Sequence, residues 1–244
     1  MTFQPNDPGM SDLFTVRTLL PDPLPAEPFA MLNAWMSEAR AEARQPNTNA
    51  MTLCTIDADG TPSARVVLCR GVDEGRGVLT FYTNRTSRKG RAMASNPRVA
   101  LVFHWDHFDR QIRVEGRVVE ASDATSDAYF ESRSFAKRLG AWSSDQSAPI
   151  ESRSELIGKI EKVCERFGVD PKNPPSEEAS RGVIPRPPHW GGYHVFAQAV
   201  EIWAGEGGRI HDRAVWRRSL TPKQNADPMQ AFDAGAWSAT RLQP

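Results

Sequence analysis

Met51-Thr52-Leu53-Cys54-Thr55-Ile56, then Asp57-Ala58-Asp59-Gly60, then Ala64-Arg65-Val66-Val67-Leu68-Cys69, is the stretch that decides the fold. Two apolar, β-branched runs flank a turn whose Asp and Gly tolerate the tight backbone of a hairpin, so an antiparallel pair is expected here. The same composition continues through Val78 to Thr83, Val99 to Trp105 and Gln111 to Val119, with Asp73-Glu74-Gly75-Arg76-Gly77 as a looser turn. Antiparallel strands this close together suggest a meander that curls into a barrel.

Around these strands lie helical patterns. Phe29, Met31, Leu32, Trp35 and Met36 recur at helical spacing between Pro28 and Arg44, which predicts an amphipathic helix with one face on the core. Ser87 to Ser95 reads as a short helix capped by Ser87 and ended by Asn96-Pro97. Two longer helices are expected, at Ala124 to Leu139 and at Ser152 to Phe167. Gly168 to Pro188, dense in Pro, Ser and charge, reads as an exposed excursion. Strand character returns at Tyr193 to Trp203 and, after a turn through Gly205 to Gly208, at Ile210 to Arg217. Thr221 to Gly235 reads as a polar loop before a last strand from Ala236 to Leu242. The expected organisation is an extended arm over residues 1–24 and one domain over 25–244.

Composition removes several function classes. Thirty basic residues balance thirty acidic ones in 244, so no global field recruits nucleic acid or an anionic membrane. No apolar run reaches the roughly 20 residues of a membrane helix, and Met1 to Asp12 lacks a basic segment followed by an apolar one; the expectation is a cytoplasmic protein. Cys54, Cys69 and Cys164 lack paired spacing and read as reduced. His104-Trp105-Asp106-His107 lacks a third ligand at supporting spacing, so no metal is expected. Gly-x-Gly-x-x-Gly, Walker and Gly-x-Ser-x-Gly elements are also missing from the sequence.

The sharpest chemical signal is Thr86-Ser87-Arg88-Lys89. A helix start offers unpaired N–H groups and the positive end of its dipole, and Arg and Lys add charge for a phosphate. Alone, such a triplet is more often solvated surface. Arg65 opens a strand otherwise fit for burial, where a guanidinium calls for an anionic partner. Gln111 begins another strand, where its amide could bond a carbonyl and ring nitrogens; alone it reads as surface. In Gly208-Arg209-Ile210-His211-Asp212-Arg213, strand alternation would put Arg209, His211 and Arg213 on one face, converging on an anionic or electron-rich partner. Asp212, on the other face, either ties a neighbouring segment or is solvated.

Taken in order, these pieces resemble the pyridoxamine 5'-phosphate oxidase family. The resemblance runs from Ala50-Met51-Thr52-Leu53 through Phe81-Tyr82-Thr83-Asn84, Ser87-Arg88-Lys89, Arg110-Gln111, Tyr129-Phe130, Ser132-Arg133, Gly140-Ala141-Trp142, Gln146-Ser147, Pro188 to Gly192, Trp203 and Arg209 to Arg213, and ends at Arg241-Leu242-Gln243-Pro244. It implies a mainly β protein with flanking helices, an FMN-binding split β-barrel, and a homodimer with FMN in clefts between subunits. On this sequence the implied FMN contacts are Arg65, Val66, Val67, Leu68, Tyr82, Thr83, Arg88, Lys89, Gln111, Gln146, Ser147, Trp203 and Arg213. The implied substrate contacts are Tyr129 and Arg133 for a phosphate, with Arg209 and His211 at a pyridine ring and serving as the catalytic pair. The implied reaction is oxidation of pyridoxine or pyridoxamine 5'-phosphate to pyridoxal 5'-phosphate by O2, which becomes H2O2, with ammonia released from the amine.

The sequence also departs from the family pattern. Arg70 stands where a Lys is usual and Lys137 where a Ser is usual, both at the implied phosphate pocket. The pocket stays cationic with a changed shape. Met1 to Thr18 holds no clear match to the family's N-terminal Arg and Tyr lid, and the Gly168 to Arg186 excursion is longer than the typical connection. A related flavin oxidase acting on a dihydrophenazine carboxylic acid, or a flavin or pyridoxal phosphate binding protein without turnover, are the alternatives.

Overall fold

The structure, a computed structural model, describes residues 19–206 and 209–244. The expected arm up to residue 18, its lid, and part of the Gly205 to Gly208 turn lie outside the described residues. The elements are α1 (Phe29–Glu42), β1 (Ala50–Ile56), β2 (Pro62–Leu68), β3 (Gly71–Asp73), β4 (Val78–Asn84), α2 (Arg88–Ser95), β5 (Arg98–Trp105), β6 (Arg110–Glu120), α3 (Asp123–Glu131), α4 (Phe135–Ser143), α5 (Arg153–Arg166), β7 (Trp190–Ala204), β8 (Asp212–Arg217), β9 (Leu220–Pro222), β10 (Phe232–Ala234) and β11 (Ser238–Leu242).

Strands order as β11-β8-β7-β6-β5-β1-β2, all antiparallel, and the 15-residue β7 is where the sheet divides. Its first half pairs with β4 from Trp190↔Asn84 to Phe196↔Val78, while its second half pairs with β8 from Ala199↔Arg217 to Ala204↔Asp212. β6 runs along its other side with a register shift at Glu115/Gly116 that adds local twist. The result is a split, curled β-barrel with helices at its margins, as the family resemblance implies; the expected meander is corrected, since β1 pairs with β5 and β4 with β7.

Alternation puts Met51, Leu53, Leu101, Phe103, Ile112, Val114, Val200, Ile202 and Trp216 on the inner face, all essentially inaccessible. Phe29, Leu32, Trp35 and Met36 of α1 cover them. Each such side chain contributes roughly 1.5–3 kcal/mol by leaving water. Leu20 joins this core, and Asp212 accepts bonds from the Leu19 and Leu20 N–H groups (3.1 and 2.8 Å) and from Arg241, so it ties neighbouring segments.

Several expectations are corrected. The single helix at Ala124 to Leu139 is two, broken at Ser132-Arg133-Ser134. The Thr221 to Gly235 loop contains the β9–β10 hairpin. β8 begins at Asp212 rather than Ile210, because Arg209 sits at φ 63° and cannot continue a ladder. The Gly168 to Pro188 excursion is not wholly exposed: Val169, Ile184 and Ser180 are buried, the first two in a second apolar cluster with Phe130, Phe135, Cys164 and Trp190. No helix among the described residues is long and apolar enough to cross a membrane.

Candidate functional site

Among the described residues β2 pairs with β1 alone, so its outer edge is free. Ser63, Arg65, Val66, Val67 and Leu68 line a cleft of about 1000 Å³ along that edge. Because neighbours on a strand point to opposite faces, a run of consecutive lining residues means that the backbone edge itself borders the cleft. The opposite wall is the end of β4, the start of α2 and the α3–α4 break.

At the α2 end, Ser87 is fully buried and its Oγ accepts from the Gly90 N–H at 3.3 Å, capping the helix as its sequence predicts. A Cβ on Gly90 would lie 2.1 Å from the Arg85 carbonyl oxygen, so only glycine lets the helix start fold this tightly. Lys89 is 8% exposed, and its Nζ donates to Gln146 Oε1 at 2.6 Å and reaches Thr83 Oγ1 and Ser87 Oγ at 3.4 Å. Burial, helped by the positive charge of Arg65, pushes the Lys89 ammonium down to about 8. The Arg88 guanidinium pairs with Asp57 of the β1–β2 turn at 2.6 Å, so its charge is already shared. Arg65 finds hydroxyls and a carbonyl in place of an anion, donating to Thr55 Oγ1 (2.8 Å), Ser63 Oγ (2.6 Å) and Leu53 O (3.2 Å).

The other end is aromatic and cationic. Tyr82 and Tyr129 stack with ring centroids 3.8 Å apart, and Trp190 continues the stack 5.4 Å from Tyr82. A Cβ on Gly192 would come within 2.7 Å of the Tyr82 ring, so this glycine makes room for the wall. The Arg133 guanidinium lies over Trp190 at 4.7 Å, and its Nη1 is buried without a partner. Burial lowers the Arg133 pKa. Arg70 and Lys137 complete this end, and no carboxylate is among the lining residues. A half-buried guanidinium with an unpartnered nitrogen is costly unless an anion meets it.

The cleft thus gathers Arg65, Val66, Val67, Leu68, Arg70, Tyr82, Thr83, Arg88, Lys89, Tyr129, Arg133, Lys137, Gln146 and Ser147. It does not gather Gln111, Trp203, Arg209, His211 and Arg213. Gln111 pairs with Trp203, and Trp203 with Arg213, forming one row across β6, β7 and β8. The row lies on the second half of β7, where β8 is its neighbour, whereas the cleft reaches only Trp190 at the start of that strand. Arg213 is held by Glu201 Oε1 at 2.8 Å and by the Gln243 carbonyl at 2.9 Å. His211 packs on Trp203 (4.7 Å) and its Nδ1 accepts from the Glu206 N–H. The convergence of Arg209, His211 and Arg213 on one strand face is corrected, since Arg209 and His211 precede β8. Trp190 and Asn84 line the cleft unassigned by the sequence reading; the aromatic before two glycines was the available signal. Among the described residues, no group of His, Cys, Asp or Glu gathers as a metal site.

Residues 37–166 match the family model described as pyridoxamine 5'-phosphate oxidase, and residues 190–244 match its pyridoxine 5'-phosphate oxidase C-terminal dimerisation region. The chain belongs to the pyridoxamine 5'-phosphate oxidase family. The pyridoxine/pyridoxamine 5'-phosphate oxidase of Burkholderia mallei (strain SAVP1) is 44% identical over 217 residues, 89% of either chain, and that of Burkholderia orbicola (strain MC0-3) is 44% identical over 218. Among solved structures, PhzG from Burkholderia lata 383 in complex with tetrahydrophenazine-1-carboxylic acid aligns with TM-score 0.74 at 27% identity, over 94% of this chain and 100% of that one. A pyridoxamine 5'-phosphate oxidase-related protein of Nostoc punctiforme shares the fold, with TM-score 0.61 at 18% identity over 89% of this chain and 97% of that one. The relatives make this a family of oxidoreductases, and Arg209, His211 and Arg213 fall inside its dimerisation region.

Proposed function

We propose that the chain is an FMN-dependent oxidase that converts pyridoxamine or pyridoxine 5'-phosphate to pyridoxal 5'-phosphate, with O2 reduced to H2O2 and, from the amine, water consumed and ammonia released. The observation that carries this reading is the pair of cationic ends in one cleft, each with an under-neutralised positive group: the buried Lys89 at one, and at the other the half-buried Arg133 with its buried, unpartnered Nη1. Two such ends suit two phosphates, and a cleft at the upper end of small-molecule site volumes, roughly 300–1000 Å³, has room for two ligands.

Lys89, Arg88 and the α2 N-terminus would hold the FMN phosphate, with Arg65 to Leu68, Tyr82, Thr83, Gln146 and Ser147 along its length. Lys89 suits that role because burial leaves its ammonium poorly solvated and a dianion restores it. Arg133, Tyr129, Arg70 and Lys137 would hold the substrate phosphate, the free Nη1 of Arg133 donating to it. FMN, once bound, supplies the hydride acceptor and its reoxidation by O2. Gln111, Trp203, Arg209, His211 and Arg213 would come from a second copy, so that the working unit is a homodimer with each cleft closed by its partner. There Arg209 would press the pyridine into place, His211 would contact its polar edge, and Arg213, steadied by Glu201, would offer positive charge.

A dihydrophenazine carboxylic acid is the second reading, favoured by the full-length superposition on PhzG. Arg70 and Lys137 could bind its carboxylate. Protein loaded with FMN is given pyridoxine 5'-phosphate, pyridoxamine 5'-phosphate and a dihydrophenazine acid in air, with peroxide and aldehyde followed. Aldehyde from either vitamer is the expected result. Peroxide from the tricyclic acid alone would transfer the assignment to the second reading, and turnover of none would leave a binding protein.

A further inference from the structure

Tyr129 lies in the last turn of α3, Lys137 sits in α4, and Arg133 lies in the break between them, so the shape of one end of the cleft depends on how two short helices are held. Each is only nine residues long, too short to be stable by itself. Segment 177–186 of the excursion holds both.

Glu177 caps α4: its carboxylate accepts from the Phe135 N–H through both oxygens, at 2.9 and 3.1 Å, where the N-cap Ser134 side chain makes no capping bond. Ser180, fully buried, accepts from Arg138 Nη2 at 2.6 Å and donates to the Glu177 carbonyl at 2.7 Å. Farther along α4, Trp142 Nε1 donates to the Pro185 carbonyl at 2.7 Å. Arg186 then crosses to α3, donating to Asp127 (2.6 Å) and Asp123 (2.9 Å), and to the Trp190 carbonyl (2.7 Å).

Behind the break is a second cavity of about 600 Å³, lined in part by Ser132, Arg133, Ser134, Arg138, Glu177 and Arg181. Arg133 borders both cavities. Close packing therefore does not confine the break from behind; the segment's bonds to the helix ends do.

We infer that segment 177–186 is a positioning strap which, through Glu177 on α4 and Arg186 on α3, sets Arg133 and Lys137 at the geometry for a substrate phosphate. This rests on the proposal that this end of the cleft binds phosphate. Glu177 bonds the first residue of α4, next to the break that carries Arg133, so its larger effect falls on the ligand at that end.

Glu177→Ala in the full-length, FMN-loaded protein tests this, with two readouts. The KM for pyridoxamine 5'-phosphate should rise about fivefold to tenfold at nearly unchanged kcat, as for loss of binding shared by ground and transition states. Inorganic phosphate, titrated calorimetrically into the same protein, should bind more weakly by a similar factor. Glu177→Gln keeps one acceptor oxygen and should fall between wild type and Glu177→Ala; it also serves as the test if the alanine variant does not fold. Because phosphate binding needs no turnover, its weakening would support the strap even if the vitamer assignment failed. Wild-type phosphate affinity in both variants overturns the inference, as does wild-type protein that binds no phosphate. A loss of FMN in step with the loss of phosphate would also overturn it, since that would mean general destabilisation.

Discussion

The β2 cleft and the Trp203 row differ in what their residues lack. In the cleft, Arg133 has a buried nitrogen without a partner, and no carboxylate lines the wall. In the row, Arg213 is already satisfied by Glu201 and a main-chain carbonyl. One region is built to receive charge and the other to present a fixed surface. A single chain holds both but does not bring them together, since no residue of the row lines the cleft. Two copies can bring one chain's row to the other's cleft, which is the use we assign to the matched dimerisation region.

The largest expected effect probes the row. Arg209→Ala should lower kcat by about 10²–10³ while the protein stays yellow with bound flavin. Loss of the flavin would move Arg209 from the substrate to the cofactor.

A mixing experiment separates the regions directly. Arg133→Ala and Arg209→Ala should each be nearly inactive, yet dimers re-formed from an equal mixture should recover roughly a quarter of wild-type activity. Half the dimers are then hybrids, and each hybrid has one cleft and one row intact at the same site. If the regions worked within one chain, mixing would restore nothing.

The smallest effect concerns Lys89. Its folded pKa is lowered to about 8 from 10.5, so the folded protein releases this proton earlier than the unfolded chain. Stability without a phosphate ligand should therefore rise with pH from about 8 towards 10.5, and the cost of the buried charge is fully present below 8. FMN binding favours the charged form, so its affinity should fall above pH 8, by at most about tenfold per unit. Fluorescence titration across pH 7–10 reads this, and Lys89→Arg should flatten the profile.

Much of the cleft was legible because its signals are local. The Ser87 cap, the Asp57 to Gly60 turn and the alternation of β1 and β2 each lie within a few residues, and they put Arg65, Lys89 and Tyr82 on the correct elements. The α3–α4 break was not legible: no Gly or Pro marks Ser132-Arg133-Ser134, and its cap comes from Glu177, 42 residues on. The β9–β10 hairpin was hidden by strands of three residues, too short to show a period. The Arg209 to Arg213 face was misread because alternation presumes a strand, and the left-handed turn at Arg209 delays it. The separation of the Trp203 row from the cleft leaves no local trace, since register is set by pairing partners rather than by the strand's own sequence.

The edge of β2, free among the described residues, also bears on how the chain behaves with an empty cleft. An unpaired strand edge bearing Val66 at 66% exposure is a template on which another chain can add, the usual start of aggregation. Natural proteins blunt such edges with charge, and Arg65 and Arg70 flank this one. A ligand in the cleft would border the same edge, so under the proposed function the bound FMN would also act as a guard on solubility. On that reading, newly made chains would be most prone to clump when FMN is scarce.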